Sequence, residues 1–268
     1  MLTEEIKKII EEELSINDDV ARFSNEFYNE IISKLNNAEI IEKNNLLIKK
    51  KISIVSYIDK IKIVSSVIYR NFLSKDFKEK YNLPYITDGG SIFINKGLAM
   101  MFINIYAING TVDKPKSMET IQHEVEHIFQ QEKMGHEFGD SNGLYEKIKT
   151  DLESKSENKQ KLAKLLYLCI KSEQEGFSNG LYAYMMDKQE PYNDDLLTSS
   201  ETWNLYLTAK ENFNELKIND GLKEVFTEYF NLYGITMPYI EKQLNNFLHR
   251  IGRTIIKVKK DKLKQGWR

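Results

Sequence analysis

Two histidines four positions apart, His123 and His127, stand out in the stretch "METIQHEVEHIFQQEK" (residues 118–133). On a helix, residues at i and i+4 lie on the same face, so the two imidazoles can converge on one metal ion. Glu124 follows His123 directly, about 100° further round the helix, and its carboxylate can lie beside a metal-bound water without ligating the metal. The stretch spells His-Glu-x-x-His, a pattern that supplies two zinc ligands and one general base.

Chance is a weak explanation for this pattern. In a chain of 268 residues with four histidines, its expected number of random occurrences is on the order of 0.006. The alternative is a polar helix face on which paired histidines, Glu124 and Glu126 are all solvated. The same stretch also predicts an apolar stripe that faces a core, formed by Ile121, Val125, Ile128 and Phe129.

A catalytic zinc site that keeps an open position needs a third protein ligand. A metzincin would have a glycine at position 130 and a histidine at position 133, whereas this chain has Gln130 and Lys133. That subclass is therefore excluded. His136 stands nine residues after His127, beyond the helix end predicted at Gly135, and it could reach the site only by a reversal of the chain.

Stronger candidates stand in "KSEQEGFSNGLYAYMM", on a helix downstream. Ser172 followed by Glu175 is a capping-box pattern, which gives Glu175 a structural explanation at the helix start. Glu173 has no such explanation. Gly176 and Gly180, at +3 and +7 from Glu173, would allow this helix to approach another helix closely on the side of that carboxylate.

At this point the sequence resembles the zincin metallopeptidases, and specifically the gluzincin type, whose third zinc ligand is a glutamate on a helix downstream of His-Glu-x-x-His. The resemblance covers about residues 98–186. It implies one Zn²⁺ per chain, held by His123, His127 and Glu173. It also implies that Glu124 is the catalytic base in the hydrolysis of a peptide or protein substrate.

One departure from the gluzincin pattern leaves the third ligand open. Many gluzincins carry an Asp or Asn four residues after the ligand glutamate, and this chain has Phe177 at that position. Asn179 stands four residues after Glu175 instead. Glu175 is therefore the alternative third ligand to Glu173.

The order of predicted elements indicates an α+β fold. Residues 46–72 predict two strands with a turn near residues 57–60, and "SIFI" and "LAMMFINIYAI" (98–108) predict further strands. Helical patterns cover the first 35 or so residues and then 117–134, 141–170, 172–188, 198–216, 220–233 and 237–264.

The resemblance refines this α+β fold to a zincin-like one. It would have a small, twisted, mostly antiparallel sheet packed on the histidine helix, with a largely helical C-terminal half. Residues 98–108 are expected to form the edge strand that pairs with an extended substrate. Residues 1–190 are interpreted as the α+β portion with the metal site, and 191–268 as a helical portion that packs on it.

Composition is that of a globular protein, and the formal net charge of −2 favours neither nucleic acid nor membrane as a partner. The single cysteine, Cys169, lies in the apolar run "LLYLCI" and is expected to be a buried hydrophobic residue. "MLTEEIKKIIEEEL" is acidic and amphipathic, unlike a signal peptide, and no apolar window is long enough to span a bilayer, so a cytoplasmic location is expected. The basic C-terminal stretch 250–268 is interpreted as a docked helix with a solvated face.

Two other classes of function compete with a metallopeptidase. A carboxylate-bridged di-iron protein would need a second Glu-x-x-His pair, and the other histidines follow Thr120, Lys133 and Asn246 at that spacing. The second class is a catalytically inactive zincin-fold protein with a binding or structural role. The intact Glu124 argues against it, because a non-catalytic site needs no general base.

Overall fold

The order of elements along the chain is that of an α+β protein, as the sequence predicts. The structure is a computed structural model that describes residues 18–73, 89–95, 97–134 and 143–267. Among these residues, strands occupy the early part of the chain and helices follow from Lys114 onward. The part of the predicted N-terminal helical pattern before residue 18, and His136, lie outside the described residues. The zincin-like refinement of the fold stays a prediction.

The described residues group into two compact units. The sheet unit comprises residues 18–133 and 179–190. The helical unit comprises residue 134 together with 143–178 and 191–267. The domain boundary at residue 190 stays a prediction.

In the sheet unit, the described residues form one mixed sheet of six strands. The strands are β1 (Glu39–Lys43), β2 (Leu47–Ile58), β3 (Ile61–Phe72), β4 (Gly89–Asn95), β5 (Leu98–Ile108) and β6 (Thr111–Val112). Their order is β1-β2-β3-β5-β4, and β6 pairs with β5. Only the β3–β5 pairing is parallel, and the other four are antiparallel. The hairpin predicted within residues 46–72 is confirmed, with its turn at Asp59 and Lys60.

The prediction that residues 98–108 form an edge strand is wrong. Strand β5 pairs with β3 along its whole length, from Leu98 to Ile108, and with β4 on its other side. Among the described residues, the edge of the sheet on this side is β4, which begins with Gly89 and Gly90. Alternating hydrophobicity shows which face of a strand is buried, but it carries no information about the neighbouring strands.

One face of the sheet carries the core of this unit. Helices α1 (Asp18–Lys34) and α2 (Lys114–Met134) contribute apolar side chains to it. The stripe predicted on α2 is confirmed, because Ile121, Val125 and Ile128 are fully buried in that core. Outward-facing residues of the sheet, such as Val55 and Phe102, are exposed. The histidine helix is therefore fixed to the sheet by one side of its surface.

The helical unit contains most of the remaining helices. They are α3 (Leu144–Leu152), α4 (Glu157–Tyr167), residues 171–178 of α5 (Lys171–Asp187), α6 (Asp194–Thr198), α7 (Glu201–Leu216), α8 (Asp220–Tyr233) and α9 (Met237–Lys264). The last two helices have the predicted bounds. The single helix predicted over 141–170 is wrong, since the segment Glu153–Ser156 separates α3 from α4.

Side-chain caps explain where three of these helices begin. Ser200, Asn219 and Thr236 each accept a hydrogen bond from the backbone N–H three residues later. Such caps satisfy N–H groups that have no partner within the first helical turn. Cap residues are visible in a sequence, so they are a usable signal for where such helices begin.

The burial expected for Cys169 and the docking expected for the C-terminal helix are confirmed, whereas Lys262 of the face expected to be solvated is buried. Cys169 is buried, and burial raises the pKa of its thiol to about 12, so the thiol stays protonated at neutral pH. Helix α9 buries an apolar stripe that includes Ile251, Ile255 and Val258. Among the described residues, no helix is long and apolar enough to cross a membrane.

Helices α2 and α5 approach each other closely within the sheet unit. A Cβ built on Gly180 would lie only 2.5 Å from the carbonyl oxygen of Glu119. At the start of α2, Lys114 forms an ion pair with Asp187 at the end of α5. The first residues of α2 therefore lie against the last residues of α5, so the two helices run antiparallel. The close approach predicted for Gly180 is confirmed.

Gly180→Ala is expected to lower the free energy of unfolding by about 1–3 kcal/mol, because the methyl group must overlap the Glu119 carbonyl. An unhindered Gly→Ala change inside a helix would instead stabilise it by roughly 0.5–1 kcal/mol. Gly221→Ala in α8 is the control. Its Cβ would also lie close to another atom, 2.7 Å from Asn158 Nδ2, but that atom ends a side chain that can rotate away, whereas the Glu119 carbonyl belongs to the backbone. Urea denaturation followed by circular dichroism measures both variants, and equal effects would contradict the prediction.

Candidate metal centre

The two histidines of α2 face each other through their Nε2 atoms. His123 Nε2 and His127 Nε2 are 3.0 Å apart, and the two rings are nearly perpendicular, at 89°. Both residues are only 7% exposed. The i, i+4 spacing brings the two rings together, as the sequence predicts. The buried position of both rings contradicts the alternative of a solvated polar helix face.

Gln130 sets the tautomer of His127. The side-chain oxygen Oε1 of Gln130 lies 3.0 Å from His127 Nδ1. Because an amide oxygen only accepts hydrogen bonds, the network assigns the proton to Nδ1 and leaves a lone pair on Nε2. This is the arrangement that an imidazole needs in order to bind a metal through Nε2. Gln130 was not predicted as a site residue, although its position three residues after His127 on the same helix is a usable signal.

Glu173 lies beside the two histidines. One ligand atom from each of His123, His127 and Glu173 can be chosen such that all three lie within 4.8 Å of one another. Glu173 is 2% exposed, so the group is buried. The three residues form a group that could hold a metal ion.

Hydrogen bonds within the helical unit hold residues 171–178 of α5. Gln174 Nε2 donates to the carbonyl oxygens of Leu168 and Gln243, at 2.8 and 2.9 Å. Thr202 Oγ1 donates to the carbonyl of Phe177 at 3.2 Å. These bonds flank Glu173 on the same helix, so its backbone is well anchored.

The alternative ligand, Glu175, has a different partner. Its Oε1 accepts a hydrogen bond from Arg250 Nη2 of α9 at 3.0 Å, and its side chain is 30% exposed. The geometry therefore groups Glu173 with the histidines and pairs Glu175 with an arginine. The choice between the two glutamates as third ligand stays a prediction, and the geometry favours Glu173.

Tyr145 of α3 contacts the carboxylate of Glu173 and was not predicted from the sequence. Its hydroxyl donates to Glu173 Oε1 at 3.2 Å. Its ring stacks on Tyr167, and the ammonium group of Lys149 lies 4.4 Å from the ring centroid. These contacts fix the ring, so the hydroxyl can orient the carboxylate. A tyrosine 28 residues from Glu173 carries no sequence signal for this role.

Glu124 lies beside the histidines on α2 but is not part of the ligand group found among the described residues. It is 6% exposed, and its side chain lies against Gly89, the first residue of β4. Glu124 is thus a buried carboxylate, one residue after His123 on the same helix and outside the group that could ligate an ion. Its role as a base stays a prediction.

The donor set fits zinc. Two imidazoles and one carboxylate are a common protein ligand set for a zinc ion with an open fourth position. Tetrahedral zinc at a bond length of ~2.0–2.1 Å separates two ligand atoms by roughly 3.3–3.4 Å. The 3.0 Å between the two Nε2 atoms is close to that separation. The largest separation within the group of three ligand atoms, up to 4.8 Å, exceeds it.

Comparison with known proteins gives no further assignment. No protein-family model, curated protein or solved structure matches this chain. The class of the protein is therefore inferred from its own residues.

We expect Glu173→Ala to lower zinc affinity by more than the ~10–100-fold that the loss of an outer partner of a ligand costs. Glu175→Ala should leave zinc affinity nearly unchanged, because that carboxylate pairs with Arg250. Competition with a fluorescent zinc chelator measures both affinities. The reverse order of effects would identify Glu175 as the ligand.

Tyr145→Phe is expected to weaken zinc binding by about 10–100-fold, because Glu173 loses the hydroxyl that orients it. Tyr233→Phe is the matched control. Its hydroxyl also donates a hydrogen bond in the helical unit, but to the backbone carbonyl of Gly143. The same chelator competition applies, and equal affinities for the two variants would show that Tyr145 does not support the site.

Proposed function

We propose that this chain is a zinc-dependent metallopeptidase of the gluzincin type. The observation that carries the proposal is the buried group of His123, His127 and Glu173. Its members stand on two helices, and two of them belong to a His-Glu-x-x-His stretch whose glutamate is also buried. A surface coincidence would leave these polar side chains in water.

The chemistry follows from the donor set and from Glu124. When bound, zinc lowers the pKa of a water to about 7 and polarises a carbonyl group. His123 and His127 would hold the zinc as neutral imidazoles through their Nε2 atoms, and Gln130 keeps the proton of His127 on Nδ1. The carboxylate of Glu124 accepts a proton from the attacking water and delivers it to the leaving amine.

Burial supports the proposed role of these residues. His123, Glu124 and His127 are each less than 10% exposed. In surroundings of low polarity the interaction between charges is stronger than in water. Glu124 would therefore act in surroundings where the charge that develops during hydrolysis interacts more strongly with neighbouring charges than it would in water.

The central experiment compares the wild-type chain with Glu124→Gln, an isosteric change that removes the base. We expect about one zinc per chain in both proteins by elemental analysis, because Glu124 lies outside the ligand group. Hydrolysis of unfolded protein substrates should fall by at least ~10²–10⁴-fold, the usual contribution of a general base.

Three results would separate the competing functions. Zinc binding in both proteins without hydrolysis in either would support the inactive zincin-fold binding protein. A wild-type chain without zinc would reject the metal centre itself. Equal hydrolysis by the two proteins would show that Glu124 is not the base.

A further inference from the structure

We propose that Gly89 is a positioning residue for Glu124, and this inference rests on the proposed function. Strand β4 begins at Gly89, and the absence of a side chain there leaves the space that the Glu124 side chain occupies. Gly89 belongs to no sequence pattern of metal or catalytic residues. Its role follows from its contacts within the sheet unit.

Three atoms of α2 fill the position that a side chain at Gly89 would need. A Cβ built on Gly89 would lie 2.8 Å from Glu124 Cγ, 3.0 Å from Glu124 Oε1 and 2.9 Å from Thr120 Cγ2. Such contacts are shorter than carbon atoms tolerate without movement. Glu124 and Thr120 are four residues apart on one helix face, so Thr120 also blocks one direction in which the carboxylate could move.

Backbone conformation does not explain this glycine. Among the described residues, the positive-φ glycines are Gly97, Gly110, Gly143, Gly234 and Gly266. Gly89 is in a regular strand that pairs with β5, where any amino acid can be accommodated by the backbone. A glycine inside a strand costs stability, and it often marks a place where another group approaches closely.

The neighbouring glycine provides the contrast. Gly89 pairs with Ile103, whose side chain is buried on the inner face of the sheet. Gly90 pairs with Phe102, which is exposed on the outer face. A Cβ on Gly90 would meet no atom within 4 Å. One methyl group added at either position thus tests two different surroundings on the same strand.

A methyl group at Gly89 would displace the Glu124 side chain. The rate depends strongly on the position of a base relative to its substrate, and a misplacement of about 1 Å can lower the rate ~100-fold. Because the base acts on the reacting atoms, the loss should fall on kcat and leave KM unchanged. None of the three atoms nearest to this position belongs to the proposed metal ligands His123, His127 and Glu173, so zinc should be retained.

The test compares Gly89→Ala with Gly90→Ala in the full chain. We expect kcat of Gly89→Ala to fall by about 100-fold with unchanged KM and zinc content. Gly90→Ala should stay within about twofold of wild type, as is usual for an unhindered surface change. Equal kcat values for the two variants would overturn the proposal.

A second measurement does not depend on activity. Thermal unfolding is compared for Gly89→Ala in the wild-type and Glu124→Ala backgrounds, and Gly90→Ala serves as the control in both. The drop in Tm caused by Gly89→Ala should be smaller in the Glu124→Ala background, because two of the three crowded atoms are then absent. An equal drop in both backgrounds would overturn the proposal.

These two measurements also separate the inference from the proposed function. A wild-type chain without peptidase activity would reject the proposed function. The coupling of Tm values would then decide alone whether Gly89 makes room for Glu124. An active wild type with no difference between the two glycine variants would reject the inference and leave the proposed function intact.

Discussion

Helices α2 and α5 touch through their backbones where Gly180 lies against Glu119, and their packing within the sheet unit depends on this contact. A larger residue at position 180 would hold the two helices apart. The ion pair between Lys114 and Asp187 fixes the same two helices at another level. Two contacts at different points along the two helices determine their register.

The site residues stand on regular elements whose other faces are occupied. Helix α2 is packed on the sheet by Ile121, Val125 and Ile128, which leaves its histidine face to the site. The part of α5 around Glu173 is anchored by Gln174, whose amide bridges two backbone carbonyls. Side chains on such supports lose little further freedom when they bind a ligand, so the geometry is prepared in advance.

Local features of the site could be predicted from the sequence, and distant ones could not. The spacing of His123 and His127, and the small residue Gly180, follow from the period of a helix and are visible within a few residues. Tyr145 and Gly89 reach the site through contacts that no short pattern encodes. The edge position of β4 could not be predicted for the same reason, since the neighbours of a strand depend on the arrangement of the whole sheet. The split of residues 141–170 into two helices also escaped prediction, because "ESKS" is only a weak break signal.

The glycine pair at the start of β4 has a consequence for errors of strand pairing. Strand ends are where register is least firmly held, and the ladder between β4 and β5 already contains one irregularity, between Phe93 and Asn95. A slip of β4 by one residue would normally bring a side chain in front of Glu124. Here it would bring Gly90 into the place of Gly89. The space for the Glu124 carboxylate would thus remain open after a slip in that direction. Two adjacent glycines therefore make the site tolerant of a one-residue register error, which a single glycine would not.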